Sequence, residues 1–169
     1  MERGKRIVLV SHCILNQNSV VKPLARAKGA YKTIVDVINN ENIGILQLPC
    51  PELIHLGLKR PPMSKEAYDT KAYRDLCKDL LSTIMIQLKA YRQVGYEIVG
   101  LIGIDESPTC SLSNKGILME ELFKCLQIEK IDLRHISVPT SYLETQDTSF
   151  AIELKDWLNL YRDVKKKLF

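Results

Sequence analysis

The sequence predicts an α/β fold: one domain over residues 1–169, a Rossmann-like three-layer α/β/α sandwich around a mainly parallel sheet of four to five strands. Three observations carry this. Four short apolar, β-branched runs recur, and the first three lack clear polar alternation, as strands covered on both faces do. Amphipathic stretches of helical period separate them, and such alternation implies parallel βαβ units with right-handed crossovers. At 169 residues the chain is the size of one domain with its own core.

The elements follow in order. RIVLVS (6–11) is the first strand. Over 22–40, Leu24, Ala27, Tyr31, Ile34, Val35 and Ile38 share one helical stripe. IGILQL (43–48) is the second strand. PCPELIHLGLKRPPMS (49–64) is a long loop, a length often reserved for function. Within it, Pro51 suits the first position of a helical turn, which makes Cys50 the cap. A long helix spans 65–93, with Tyr73, Leu76, Cys77, Leu80, Leu81, Ile84, Leu88 and Tyr91 on its stripe and Gly95 near its stop. EIVGLIGI (97–104) is the third strand. NKGILMEELFKCLQ (114–127) is a shorter helix with Leu118, Leu122 and Cys125 on its apolar side, capped by Ser113 or Asn114. RHISVP (134–139) is the fourth strand. The last helix, near 150–167, carries Leu154, Trp157, Leu158, Tyr161 and Val164.

Composition excludes several classes. The chain is 46% apolar and 26% charged, as globular proteins are. A net charge of +4 from scattered positive residues is too mild for specific nucleic-acid binding. The basic end RDVKKKLF reads as the solvated face of the last helix. The apolar run in MERGKRIVLVSHC is too short for a signal peptide, and no window approaches a membrane span. These features fit a soluble cytoplasmic protein whose five cysteines are reduced thiols.

The cysteines divide by position. Cys77 and Cys125 lie on apolar helical stripes and read as small buried hydrophobes. Cys13, Cys50 and Cys110 each stand at or just beyond the C-terminal end of a parallel strand. Those ends form one edge of an open sheet, where ligands bind. Three converging thiolates suggest a soft-metal site. There is no C-x-x-C pair of a zinc ribbon and no clustered ferredoxin run. A fourth ligand from His12 or His55 would close a Cys3His zinc site; alternatively the fourth position stays open for a substrate. A non-catalytic binding or sensor module, with zinc or a cluster at the same thiolates, is a second reading. A metal-free hydrolase could instead pair Cys13 or Cys110 with His12, His55 or His135.

Each turn has its own chemistry. Cys50 at a helix N-terminus is expected to have a lowered pKa, with Glu52 held beside it. A carboxylate in a dry pocket can exchange protons near neutrality. Ser107 offers a hydroxyl near Cys110, and Asp105 and Glu106 offer carboxylates. Asn16, Gln17 and Asn18 could hydrogen-bond a heterocyclic ligand, or cap the next helix. Arg60, before Pro61-Pro62, is a candidate anion or rim contact.

The turns SHCILN, LPCPE…GLKRPP and IDESPTC together resemble the thiouracil-desulfurase-like family over about residues 6–115. That family's pattern is a cysteine after the first strand, a Cys-Pro-Glu followed by Arg-Pro-Pro, and a Ser-Pro-Ser/Thr-Cys. The resemblance implies an oxygen-sensitive 4Fe-4S cluster held by Cys13, Cys50 and Cys110, its fourth iron without a protein ligand. It implies non-redox removal of sulfur from a thiolated pyrimidine such as 2-thiouracil, with Glu52 and Ser107 as proton-transfer residues. The family's Leu-Leu-Gly and Arg-Tyr-Asp-Gly are replaced here by ILNQNSVV, and its glycine after the third cysteine by Ser111, which marks a divergent short branch.

Overall fold

Arg6–Val10 forms strand β1, buried at all five positions. Helices cover the sheet on both faces, which is why the run is apolar without alternation. The other strands are β2 (Gly44–Gln47), β3 (Glu97–Ile104) and β4 (His135–Val138). They lie in the order β2-β1-β3-β4, every neighbouring pair parallel. The computed structural model describes residues 1–22, 24–144 and 148–166, the side chains of 161–166 excepted. The expectations for Tyr161, Val164 and the basic end concern side chains outside that description.

Around the sheet stand α1 (His12–Leu15), α2 (Lys32–Asn40), α3 (Pro51–Leu56), α4 (Lys65–Tyr68), α5 (Lys71–Gln93), α6 (Ile117–Ile128) and α7 (Ser149–Lys166), with a 3-10 turn at Gln17–Ser19. α2 packs with α7 and α5 with α6. With right-handed crossovers, the reversal of direction after β2 puts these pairs on opposite faces. The three-layer sandwich expected from the sequence is therefore present, with four strands. Among the described residues no helix is long and apolar enough to cross a membrane.

Three element boundaries differ from expectation. The stripe drawn over 22–40 becomes helical only at Lys32. Ahead of it the backbone bonds to the first turn instead: Gln17 N–H donates to the Gly29 carbonyl (2.6 Å) and Tyr31 N–H to the Ile14 carbonyl (2.9 Å). Leu24 is accordingly exposed. The span 65–93 is two helices because two caps lie within it. Ser64 Oγ accepts from Ala67 N–H and Thr70 Oγ1 from Tyr73 N–H (3.2 Å). Neither Ser113 nor Asn114 caps α6; Gly116 stands at its N-cap.

A β-bulge fixes one end of the fold. Ile7 pairs with Ile98 but Val8 with Gly100, leaving Val99 as the extra residue. At Gly100 (φ +154°) a Cβ would come within 2.5 Å of the Trp157 ring. Arg134 lies over that ring at 4.3 Å and donates from Nε to the Val99 carbonyl (2.7 Å). The bulge thus seats the α7 tryptophan and joins β3 to β4.

Candidate functional site

β1, β2 and β3 are adjacent, so the turns that leave their C-terminal ends meet at one edge. Ser11 N–H donates to the Ile102 carbonyl (3.0 Å) and Leu48 N–H to Val10 (2.8 Å), carrying the ladder up to those turns. Cys13, Cys50 and Cys110 line one cavity of about 490 Å³, with Glu52, Arg60 and Ser107.

The Cys110 turn is the most heavily secured. Ser107 Oγ accepts from the N–H of Cys110 (2.9 Å) and of Thr109 (3.3 Å). The carbonyls of Pro108 and Thr109 accept from Ile117 and Leu118 N–H, both at 3.1 Å. The first amides of α6 therefore serve the turn, and no side-chain cap is needed. Thr109 Oγ1 also meets Tyr73 Oη at 3.0 Å. Gly116 packs so closely that a Cβ would lie 2.3 Å from the Thr109 carbonyl carbon.

Gln17 buckles the Cys13 turn. It is buried, its amide nitrogen donates to the Cys13 carbonyl (2.8 Å), and its Oε1 accepts from Arg26 N–H (2.8 Å). Gln17 lines the cavity; Asn16 and Asn18 do not. Asn16 Oδ1 instead accepts from Asn18 N–H (3.1 Å) as the cap of the 3-10 turn.

Arg60 is not a solvated rim residue. Its side chain is 2% exposed and that of Glu52 12%. Arg60 Nε donates to Glu52 Oε2 (3.3 Å), Nη1 to the Gly57 carbonyl (3.1 Å) and Nη2 to the Ser19 carbonyl (2.8 Å). One buried guanidinium thus links the Cys50 turn to the segment after Cys13 and holds Glu52 on the cavity wall.

Burial dominates the thiols. It pushes Cys13 up to about 12, helped by the nearby charges of Cys50 and Glu52. It pushes Cys110 well above the ordinary value, with Cys13 and Cys50 adding to the effect. Cys50 caps α3 as expected, yet its pKa is raised rather than lowered. Burial outweighs the amides of Leu53 and Glu52, which act in the opposite direction. Cys13 senses the charge of Cys50, and Cys110 that of both, while Arg26 and Arg60 act in the opposite direction on Cys13 and Cys50. Cys77 is buried on α5 and Cys125 half-buried on α6.

Of the histidines, only His12 lines the cavity. His55 is exposed against the Tyr73 ring (5.2 Å) and His135 against Phe123 (5.5 Å). His12 Nδ1 meets the Gln47 amide, and its Nε2 is buried without a partner among the described residues. Among the described residues no three His, Cys, Asp or Glu side chains could share a single metal ion. Sharing one tetrahedral ion needs sulfurs about 3.8 Å apart, given bonds of about 2.3 Å. Thiolate sulfur is the ligand type that iron–sulfur clusters take, and the three cysteines line one cavity. Asp105 lines the cavity and accepts from Ser113 Oγ (2.9 Å); Glu106 stands beside it at φ +60°.

Sequence reasoning missed Arg26, which lines the cavity and donates from Nη1 to the carbonyls of Pro139 (2.8 Å) and Thr140 (2.6 Å). Placed on an expected helix, it carried no signal. Residues 5–122 match the family model described as Putative 2-thiouracil desulfurase. An uncharacterized protein of Methanocaldococcus jannaschii is 53% identical over 132 residues, 78% of this chain and 83% of that protein. No solved structure matches the chain.

Proposed function

The chain belongs to the family described as Putative 2-thiouracil desulfurase, and from that premise we propose that it hydrolyses a thiolated pyrimidine or similar thioamide, exchanging C=S for C=O without net redox change. The cofactor of this reading is a 4Fe-4S cluster on Cys13, Cys50 and Cys110. The observation that carries it is the meeting of these three thiols, from three separate strand ends, in the cavity that also holds Glu52 and Ser107. When bound, such a cluster supplies a soft Lewis acid with one iron position for sulfur.

The chain's own residues supply the rest. Arg60 fixes the Glu52 carboxylate beside the Cys50 turn. From there Glu52 takes a proton from the attacking water and returns it to the departing sulfide. The Ser107 oxygen accepts from the Cys110 and Thr109 amides, which orients its hydrogen away from them, toward a ligand in the cavity. The cavity is in the range that encloses a small molecule. Five free cysteines and an oxygen-sensitive cofactor suit a reducing compartment, the cytoplasm.

The test is sulfide release from 2-thiouracil by protein reconstituted without oxygen. Cys50→Ala should lose iron and turnover together, and Cys77→Ala should keep both. Glu52→Gln should keep iron and lose about 10²-fold or more in kcat. Sulfide release that survives Cys50→Ala, or none from any thiolated base by iron-loaded protein, would overturn the reading.

A further inference from the structure

Two stretches of chain line the cavity with apolar side chains alone. After the Cys13 turn come Val20, Val21, Leu24 and Ala25, and after Arg60 come Pro62 and Met63. Arg60 ties the two together. Its Nη2 donates to the Ser19 carbonyl (2.8 Å), so the residue that precedes one stretch is bonded to the residue that precedes the other. Leu24 N–H donates to the Val21 carbonyl (2.7 Å), a turn that leaves Leu24 58% exposed at the mouth. Cys110, at the thiol end, is 6% exposed. Met63 is half-buried against the core, and its flexible thioether adapts to irregular partners.

The cations beside these stretches are committed elsewhere. The Arg60 side chain is 2% exposed and donates to Glu52, Gly57 and Ser19. Arg26, which follows Ala25, turns its Nη1 to the carbonyls of Pro139 and Thr140. An acidic group laid along Val20, Val21, Leu24 and Met63 would lose water and meet no side-chain donor, whereas a hydrocarbon there gains by leaving water. A cavity of about 490 Å³ is also of the size that encloses drug-sized molecules, larger than a single pyrimidine ring.

We propose that Val20, Val21, Leu24 and Met63 form a subsite for an uncharged hydrocarbon substituent, so that the substrate is a thiolated ring carrying an alkyl group, its sulfur toward the three thiols and its alkyl group along these side chains. The inference rests on the proposed reaction for the ring and adds the substituent that the ring carries. It makes the four apolar residues specificity-determining rather than catalytic, since none has a group that could bind iron or move a proton.

The experiment titrates protein reconstituted without oxygen with uracil, 5-propyluracil, 6-propyluracil and uracil-6-carboxylate in a calorimeter. These are oxygen analogues, so binding is read without turnover. One of the two propyl compounds should bind about tenfold tighter than uracil, less than three fully buried carbons would give because the mouth is open. The carboxylate should bind no tighter than uracil. Leu24→Gln and Met63→Gln, at an exposed and a half-buried position, should each cut the propyl-to-uracil affinity ratio about threefold or more. Ile128→Gln, exposed and outside the cavity, should leave the ratio at its wild-type value. Propyl compounds that both bind no tighter than uracil, a carboxylate that binds tighter than either, or a ratio unmoved in both cavity variants overturns the subsite. Sulfide release from 2-thiouracil and 6-propyl-2-thiouracil is measured alongside. If neither yields sulfide, the proposed reaction fails, and the titration, which needs no turnover, still decides the subsite.

Discussion

At the scale of single residues, Arg60 is the least replaceable side chain of the cavity wall. It joins the Glu52 carboxylate to the Ser19 and Gly57 carbonyls. Arg60→Met leaves Glu52 nearly buried without its cation, a loss of about 3–5 kcal/mol. Urea unfolding should show it, with Arg60→Lys intermediate because a lysine cannot reach all three acceptors. The thiols give a second prediction. Cys13 and Cys77 titrate near 12 when folded and near the ordinary 9.0 when unfolded. Below about pH 9 both states keep these protons and the contribution is fully present. As pH rises from 9 toward 12 the unfolded chain releases them first, so the apoprotein loses stability. A urea midpoint that stays level or rises over that range would contradict the burial of these groups. The three cavity cysteines were legible in the sequence because each follows an apolar run. The raised pKa of Cys50 was not, because a cap position reveals the amides but not how much of the fold covers the sulfur.

At the scale of elements, the Cys110 turn depends on the start of α6. Gly116 touches the Thr109–Cys110 peptide, and the Pro108 and Thr109 carbonyls occupy the amides of Ile117 and Leu118. Gly116→Val should push the turn outward and lower iron uptake, at about 1–3 kcal/mol of stability. Circular dichroism should find the helices intact, and full iron loading would contradict this link. Tyr73→Phe removes only the Thr109 contact and should cost about 0.5–1.5 kcal/mol in urea unfolding. β1 and β3 were legible because two-sided burial writes them as plain apolar runs; the edge strands β2 and β4 are only partly buried, so the second strand is not covered on both faces as its apolar run suggested. The start of α2 was not. Its stripe residues Leu24 and Ala27 match the helical period by chance, while the neighbouring backbone bonds the Cys13 turn, a long-range pairing that periodicity cannot register. The break between α4 and α5 was visible as Thr70, three residues before Tyr73, but the longer stripe hid it.

At the scale of the whole molecule, the order β2-β1-β3-β4 makes the site. β1 lies between the two strands whose turns bear Cys50 and Cys110, and the direction of winding reverses across it. Strand ends in such a sheet open a crevice at the reversal. Topology thereby turns three cysteines, separated by 37 and 60 residues, into one constellation. This much followed from the sequence, since parallel strands must end on one edge. The wall of the cavity followed less well, because Gln17 reaches it from the 3-10 turn and Arg26 from an irregular segment held by bonds to Gln17 and to the residues just after β4. The central claim is that the constellation holds one cluster, and the direct test is iron and sulfide counted per chain after anaerobic reconstitution. Wild type should hold about four of each, with Cys13→Ala, Cys50→Ala and Cys110→Ala each losing most of it. Fewer than about three irons in wild type, or full loading in any of the three variants, would contradict the claim.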